Sequence, residues 1–405
     1  MLFINNQRTK KRMTYRLSPL PLTISDTTLR DGSQMPGVRF SVDDKVAIAQ
    51  ALAEARVDVI EAGFPAGSDR EIEAVQRIVS EVSGPIIMTL CRSLESDIDA
   101  AWQALSKAAP ERCGIGIFIG ASPLHRRYKL HKTKAQCLDI IGRSVAYARQ
   151  RFSRVTFSCE DGSRTEPSFL RQAYTVAMDA GATGIGFPDT VGILTPETAA
   201  ARTRMLVALA RPRGVRVRVH FHNDLGLATA NTLAAIRAGA DIVHLTVGGI
   251  GERAGNAPLE ETVMALTLHH RHYRRAIRVD PSRLTGLCGL VSRLSGIALP
   301  PNKAVTGANI FATAAGVHQD GLLKNPDTYL PFRPEVVGAP GISLPLSPLS
   351  GKAGLARRLA ELGIELSPSA LTLALRSIKN ADKAEWADEE ALLRGAAAQA
   401  QKDAS

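Results

Sequence analysis

From Leu22 to Leu268 the chain alternates short apolar runs with amphipathic stretches, and it does so eight times. The runs are Leu22 to Asp26, Val57 to Ala62, Ile86 to Leu90, Gly114 to Ile119, Val155 to Ser158, Gly184 to Phe187, Val215 to His220 and Asp241 to Val247. Between them lie helical patterns of roughly 12 to 18 residues, such as Asp43 to Arg56 and Asp69 to Val82. Runs this apolar suit parallel strands buried under helices on both faces. The count and length predict a (β/α)8 TIM barrel followed by a mostly helical C-terminal accessory region. A doubly wound open sheet is the runner-up, but it would gather its polar residues at one switch point. Here Arg30-Asp31, Glu61, Arg92, Glu160-Asp161, Asp189-Thr190, His220 with His222, and Gly248 to Asn256 each follow the carboxyl end of a different strand. That is how a barrel builds its site from successive loops.

After Leu268 the rhythm stops. The expected organisation is a basic disordered tail over 1–20, a barrel over 21–280, a linker and subdomain over 281–345, and a helical subdomain over 346–405. His269 to Arg278 reads as a basic, hinge-like and solvated stretch, and the Ala-rich segment from Ala387 as an exposed helix or fraying tail. Met13 is a candidate natural start, because the ordered pattern begins near Pro21. The tail has no apolar segment of the secretory kind, and no apolar run is long enough to span a bilayer. Net charge is +11, yet aromatics make up only 5% and do not interleave with the basic residues. A diffuse positive field drawing small polyanions explains this better than nucleic-acid binding. Five scattered cysteines without a C-x-x-C pair fit a reducing compartment, so a cytoplasmic location is expected.

In Val219-His220-Phe221-His222 the two histidines point the same way, because strand side chains alternate. Alone, such a pair is better explained by ordinary hydrogen bonding. Its partner candidate is Asp31, just past the first strand in Asp26-Thr27-Thr28-Leu29-Arg30-Asp31-Gly32-Ser33-Gln34. In a closed eight-strand barrel the first and seventh strands are separated only by the eighth, so their ends converge. Asp31, His220 and His222 would then offer one oxygen and two nitrogens to a divalent cation and leave positions open for substrate.

The Asp26 to Gln34 stretch resembles the signature of the DRE-TIM metallolyase superfamily. Glu160 to Thr165, Pro188 to Gly192, His220 to Asn231 and Gly251 to Asn256 resemble its alkylmalate/alkylcitrate synthase branch, which includes 2-isopropylmalate, homocitrate and citramalate synthases. Gly316 to Lys324, followed by Tyr329, resembles the accessory segment of those enzymes. The resemblance covers about residues 22 to 340 and implies a condensation of acetyl-CoA with a 2-oxoacid, followed by thioester hydrolysis. It implies that Asp31, His220 and His222 bind a divalent metal, with Asn256 a fourth ligand or a group behind the ligands. It further implies that Arg30 stabilises the developing alkoxide, that Thr190 and Gln34 contact substrate, and that Glu160 positions a partner group or water. His318 and Tyr329 would help deprotonate the acetyl methyl, reaching the neighbouring subunit in a domain-exchanged homodimer.

Ser33 stands where that branch commonly has Glu, Gly248 where it has Asn, and Thr313 where it has His. Too little chain follows residue 340 for the regulatory domain of many isopropylmalate synthases, so feedback through such a domain is not expected. A hydroxyacyl-CoA lyase of the same superfamily would carry a reactive cysteine in the glycine loop, and Gly248 to Arg253 has none. A non-catalytic paralogue would have no use for Arg30, Asp31, His220, His222, His318 and Tyr329 together. Arg92, Arg126, Arg127 and Arg164 in the strand-to-helix loops, with Arg92 and Arg164 as substrate contacts, favour an oxoacid with a second anionic group: 2-oxoglutarate, oxaloacetate or phosphonopyruvate. The alternative is an apolar oxoacid, as for a 2-isopropylmalate or citramalate synthase. His125 is read as a second-layer residue or a contact to the far end of the substrate.

Overall fold

The eight apolar runs are the strands of one closed parallel sheet in the computed structural model, which describes residues 20–346 and 350–404. The expected tail lies outside the described residues except for Leu20. The strands are β1 (Thr23–Asp26), β2 (Val59–Gly63), β3 (Ile86–Arg92), β4 (Cys113–Gly120), β5 (Val155–Glu160), β6 (Gly184–Asp189), β7 (Arg216–Phe221) and β8 (Ile242–Leu245). β1 closes the barrel on β8, pairing Thr23 with Ile242 and Asp26 with Leu245. Helices cover the outside, from α1 (Val42–Glu54) and α2 (Asp69–Glu81) round to α8 (Leu259–Leu268). Several start on side-chain caps: Ser41 and Asp44 form a capping box at α1, as do Thr133 and Gln136 ahead of Lys134–Arg149.

The (β/α)8 barrel is as expected, but the strands are not apolar on both faces. Their outward residues are: Ile115 and Ile117 on β4, Phe157 on β5, and Val217 and Val219 on β7 are buried beneath helices. Inward the barrel is polar, with Glu61, Ser158, Arg218, His220 and His244 facing its interior cavity. An apolar run with one polar residue at every second position is a strand whose inner face lines a site.

Beyond α8 the basic stretch is partly ordered, since Arg275–Ala276 pairs in parallel with Leu20–Pro21. The helix Leu284–Ser295 packs Leu284, Leu287 and Val291 into the main core. The linker that follows is tied down by Lys303, whose ammonium lies 3.0 Å from the fully buried Glu260 of α8 and also pairs with Glu261. Glu260 in turn accepts the Gly248 amide at 3.0 Å, so the linker and the glycine loop share one anchor.

Lys352–Glu361, Pro368–Asn380 and Glu389–Ala404 form a separate helical unit around Leu355, Leu359, Ala374, Ile378 and Leu393. The Ala-rich last helix is not a fraying tail, because Ala396, Ala397 and Ala400 are buried in that small core. Alanine allows close helix packing, which its low hydrophobicity conceals in sequence. Among the described residues no helix is long and apolar enough to cross a membrane. All five cysteines are free and buried.

Candidate active site

Asp31, His220 and His222 meet at the carboxyl end of the barrel. The turn after β1 brings Asp31 inward, and β7 carries His220 on its inner face with His222 just beyond the strand. The two Nε2 atoms are 3.1 Å apart. Asp31 Oδ2 lies 3.5 Å from His220 Nε2 and 3.8 Å from His222 Nε2. Two atoms bound at about 2.1 Å to one cation can lie at most ~4.2 Å from each other, so all three separations can be spanned by a single divalent ion, with the Asp31 oxygen set wider than an ideal tetrahedral or octahedral angle. An orphaned atom agrees with that fit. The buried Oδ1 of Asn256 has no hydrogen-bond partner. Asn256 gives its Nδ2 to Asp31 Oδ1 at 2.8 Å, which aims the carboxylate.

The protonation states suit ligands. Burial, reinforced by His222, holds His220 well below its ordinary pKa, and burial lowers His222 as well. Both rings are neutral near pH 7. Burial by itself would raise Asp31, but Arg30 and then the two histidines hold it below the carboxylate range. Arg30 donates from Nε to Glu61 at 2.6 Å and from Nη1 to Asp31 at 2.6 Å. The guanidinium is thereby fixed with one edge on two buried carboxylates.

The cavity below this cluster holds about 200 Å³. Of the other residues singled out in the sequence, Gln34, Glu160 and Thr190 line it. Thr190 is held by the Asp161 amide, which donates to its Oγ1 at 2.8 Å from a left-handed backbone conformation. Glu160 is fixed by Lys129 at 2.7 Å and lies 3.4 Å from His125 Nδ1, so His125 stands one layer behind the cavity.

The loop arginines do not reach the cavity. Arg92 turns outward onto Asp97 at 2.8 Å, and Arg164 lies on Asp161 at 2.8 Å. Arg126 pairs with Glu166 at 2.8 Å and packs on Phe169, while Arg127 lies over Tyr128. Each carboxylate or ring partner lies in the same or an adjoining loop or helix start, and it competes successfully for the guanidinium. His318 and Tyr329 stack on each other, ring centroids 4.3 Å apart, on an exposed part of the accessory segment. Within this one chain they are not brought to the Asp31 cluster.

Glu61, expected on the site face but given no role there, also lines the cavity, and two inner-face residues escaped the sequence reading: Arg218 and His244. The signal for Arg218 was present, since it lies two residues before His220 and so on the same face of β7.

The glycine loop closes tightly over the cluster. A Cβ on Gly251 would collide with Asn256 Nδ2 and come within 2.7 Å of Asp31 Oδ1. Gly251→Ala is therefore expected to dislodge the Asn256–Asp31 contact and weaken Mn2+ binding about 10- to 100-fold, the range for loss of a group that orients a ligand. Calorimetric titration with Mn2+ measures this, and an unchanged affinity would count against the cluster as the cation site.

Residues 21–288 match the HMGL-like family model, and residues 305–385 match the homocitrate synthase post-HMGL domain-like model. The chain is 47% identical over 360 residues to the 2-isopropylmalate synthase of Streptococcus gallolyticus, covering 88% of this chain and 69% of that one. To the 2-isopropylmalate synthase of Pyrococcus abyssi it is 45% identical over 365 residues, covering 90% and 75%. Among solved structures, the hydroxymethylglutaryl-CoA lyase of Pseudomonas aeruginosa superposes with a TM-score of 0.59 at 21% identity, over 70% of this chain and 95% of that one, which speaks for the fold alone. The chain belongs to the HMGL-like family, within its DRE-TIM alkylmalate synthase branch.

Proposed function

We propose that the protein condenses acetyl-CoA with a 2-oxoacid and hydrolyses the resulting thioester. The observation that carries this reading is the buried Asp31–His220–His222 cluster with Arg30 beside it, in a chain whose relatives are 2-isopropylmalate synthases. Asp31, His220 and His222 would hold a divalent cation, which would supply Lewis acidity at the keto oxygen of the substrate. The residues of the chain do the rest. Arg30 points a fixed positive charge at the oxygen where negative charge develops as the new carbon–carbon bond forms. Thr190 hydrogen-bonds the oxoacid carboxylate, and Gln34 closes the same pocket. Glu160, anchored by Lys129, orients the water that hydrolyses the thioester. The methyl proton of acetyl-CoA passes to a base, and the exposed His318–Tyr329 pair is suited to that role in a neighbouring subunit of a homodimer.

The names of the relatives favour an apolar oxoacid, 2-oxoisovalerate, over one with a second anionic group. The placement of the loop arginines agrees, since a diacid is not held by Arg92, Arg126, Arg127 or Arg164. The cavity wall includes Leu90 and Phe118, which can receive an aliphatic chain. One observation favours a different tail, the buried Arg218 at the cavity floor.

Release of free CoA thiol from acetyl-CoA, followed with Mn2+ and a panel of oxoacids, tests the reaction. Release with at least one oxoacid, abolished by chelation, is expected. No release with any of them would remove the condensation reading.

A further inference from the structure

Arg218 is a buried arginine in the middle of the barrel whose guanidinium is incompletely hydrogen-bonded. It is 4% exposed. Its Nε has no hydrogen-bond partner, and its Nη2 reaches only the Met88 sulfur at 3.2 Å. The one carboxylate acting on it favourably is Glu61, whose Oε2 is taken by Arg30 and whose buried Oε1 has no hydrogen-bond partner. A guanidinium keeps its charge at neutral pH. A buried arginine left with incomplete hydrogen bonding is costly, and proteins keep one where a ligand completes the set.

The surroundings are those of a ligand pocket. His244, 6% exposed, has neither ring nitrogen hydrogen-bonded, and it lines the same cavity. Gly116 leaves the space open: a Cβ there would stand 3.8 Å from Arg218 Nη1 and 3.3 Å from Leu90 Cδ1. The Gly116 backbone does not require glycine, because its φ is not positive. The absent side chain provides room in front of the guanidinium. Along β7 the Arg218 Cα is about 7 Å below that of His220. An oxoacid whose head lies at the cluster and whose far end is two or three bonds further on reaches this floor.

We propose that Arg218, with His244 beside it, is a second anion-binding subsite, and that it takes a compact anionic group, carboxylate or phosphonate, at the far end of a short 2-oxoacid. The inference rests on the condensation reading for the identity of the head group. It departs from the apolar tail that the names of the relatives favour.

The test is the affinity of the Mn2+-loaded protein, without acetyl-CoA, for oxaloacetate, phosphonopyruvate and 2-oxoisovalerate, measured by calorimetry. The wild type is expected to bind at least one dianion about tenfold or more tightly than 2-oxoisovalerate, the worth of a charge-assisted contact. The better dianion tells carboxylate from phosphonate. Arg218→Met should abolish that preference, and Arg218→Lys should restore part of it. If Arg218→Met fails to fold, Gly116→Ala replaces it and should weaken the dianion by narrowing the same space. Tightest binding of 2-oxoisovalerate, or dianion binding within twofold of wild type in these variants, overturns the subsite. Dianion binding that depends on Arg218 without CoA release from any oxoacid removes the condensation reading and leaves the subsite standing.

Discussion

His220→Ala is expected to abolish Mn2+-dependent CoA release while leaving the barrel folded. His220 and His222 are held with Nε2 atoms 3.1 Å apart around a position that Asp31 Oδ2 also faces. Removing one imidazole leaves a carboxylate and a single nitrogen. Losing only a group that orients a ligand weakens a metal site about 10- to 100-fold. Loss of a ligand itself should cost more than about 100-fold in affinity, and activity at sub-saturating Mn2+ should fall with it. A readout independent of turnover is thermal stability. Metal at about 100 times its Kd stabilises a folded protein by about 2.7 kcal/mol. The wild type should melt higher when Mn2+ is added, and the variant should not respond. The metal-free variant should be about as stable as metal-free wild type, because burial disfavours a charged His220 and Asp31 keeps Arg30. A full thermal response in His220→Ala would place the cation elsewhere.

The barrel was legible because parallel strands sealed by helices leave a strong periodic trace, and eight repeats of it admit few architectures. The Asp31–His220–His222 grouping was legible for a topological reason, since closing the barrel brings the ends of β1 and β7 together. What sequence did not show depends on competition among neighbours. Arg92 and Arg164 looked free until Asp97 and Asp161 were seen to hold them. Arg218 and His244 were hidden within apolar runs, because a single polar residue at an inward position resembles noise until the strand's faces are assigned. His318 and Tyr329 carry a motif resemblance, yet in the isolated chain they lie together on an exposed surface away from the cavity. The role proposed for them would need a second copy of the chain, and no local pattern encodes such an assembly.

Arg30→Ala is expected to lower both stability and metal affinity, and pH separates the two effects. Arg30 is nearly buried and is bonded at 2.6 Å to both Asp31 and Glu61, themselves buried. Its loss strands two carboxylates in a site of low polarity, and breaking a buried pair this way costs about 3–5 kcal/mol. In wild type the folded-state pKa of Asp31 is depressed, so its contribution to stability is present above its unfolded value of about 4 and is lost as pH falls through the folded value. In the variant, burial acts without Arg30 and pushes Asp31 upward. The stability gap between wild type and variant should be largest near pH 7 and should narrow toward pH 5, as protonation relieves the stranded charge. Metal binding follows the opposite course. A protonated Asp31 is no ligand, so Mn2+ affinity in Arg30→Ala should fall off on acidification at a higher pH than in wild type. Arg30→Lys should recover part of the stability, since an ammonium supplies the charge, but little of the turnover, because one point charge cannot hold Asp31 and Glu61 and also face the reacting oxygen. Urea unfolding at pH 7 and pH 5, with Mn2+ titrations at the same values, measures both. A gap that does not change with pH would mean that Arg30 acts on the barrel by packing alone.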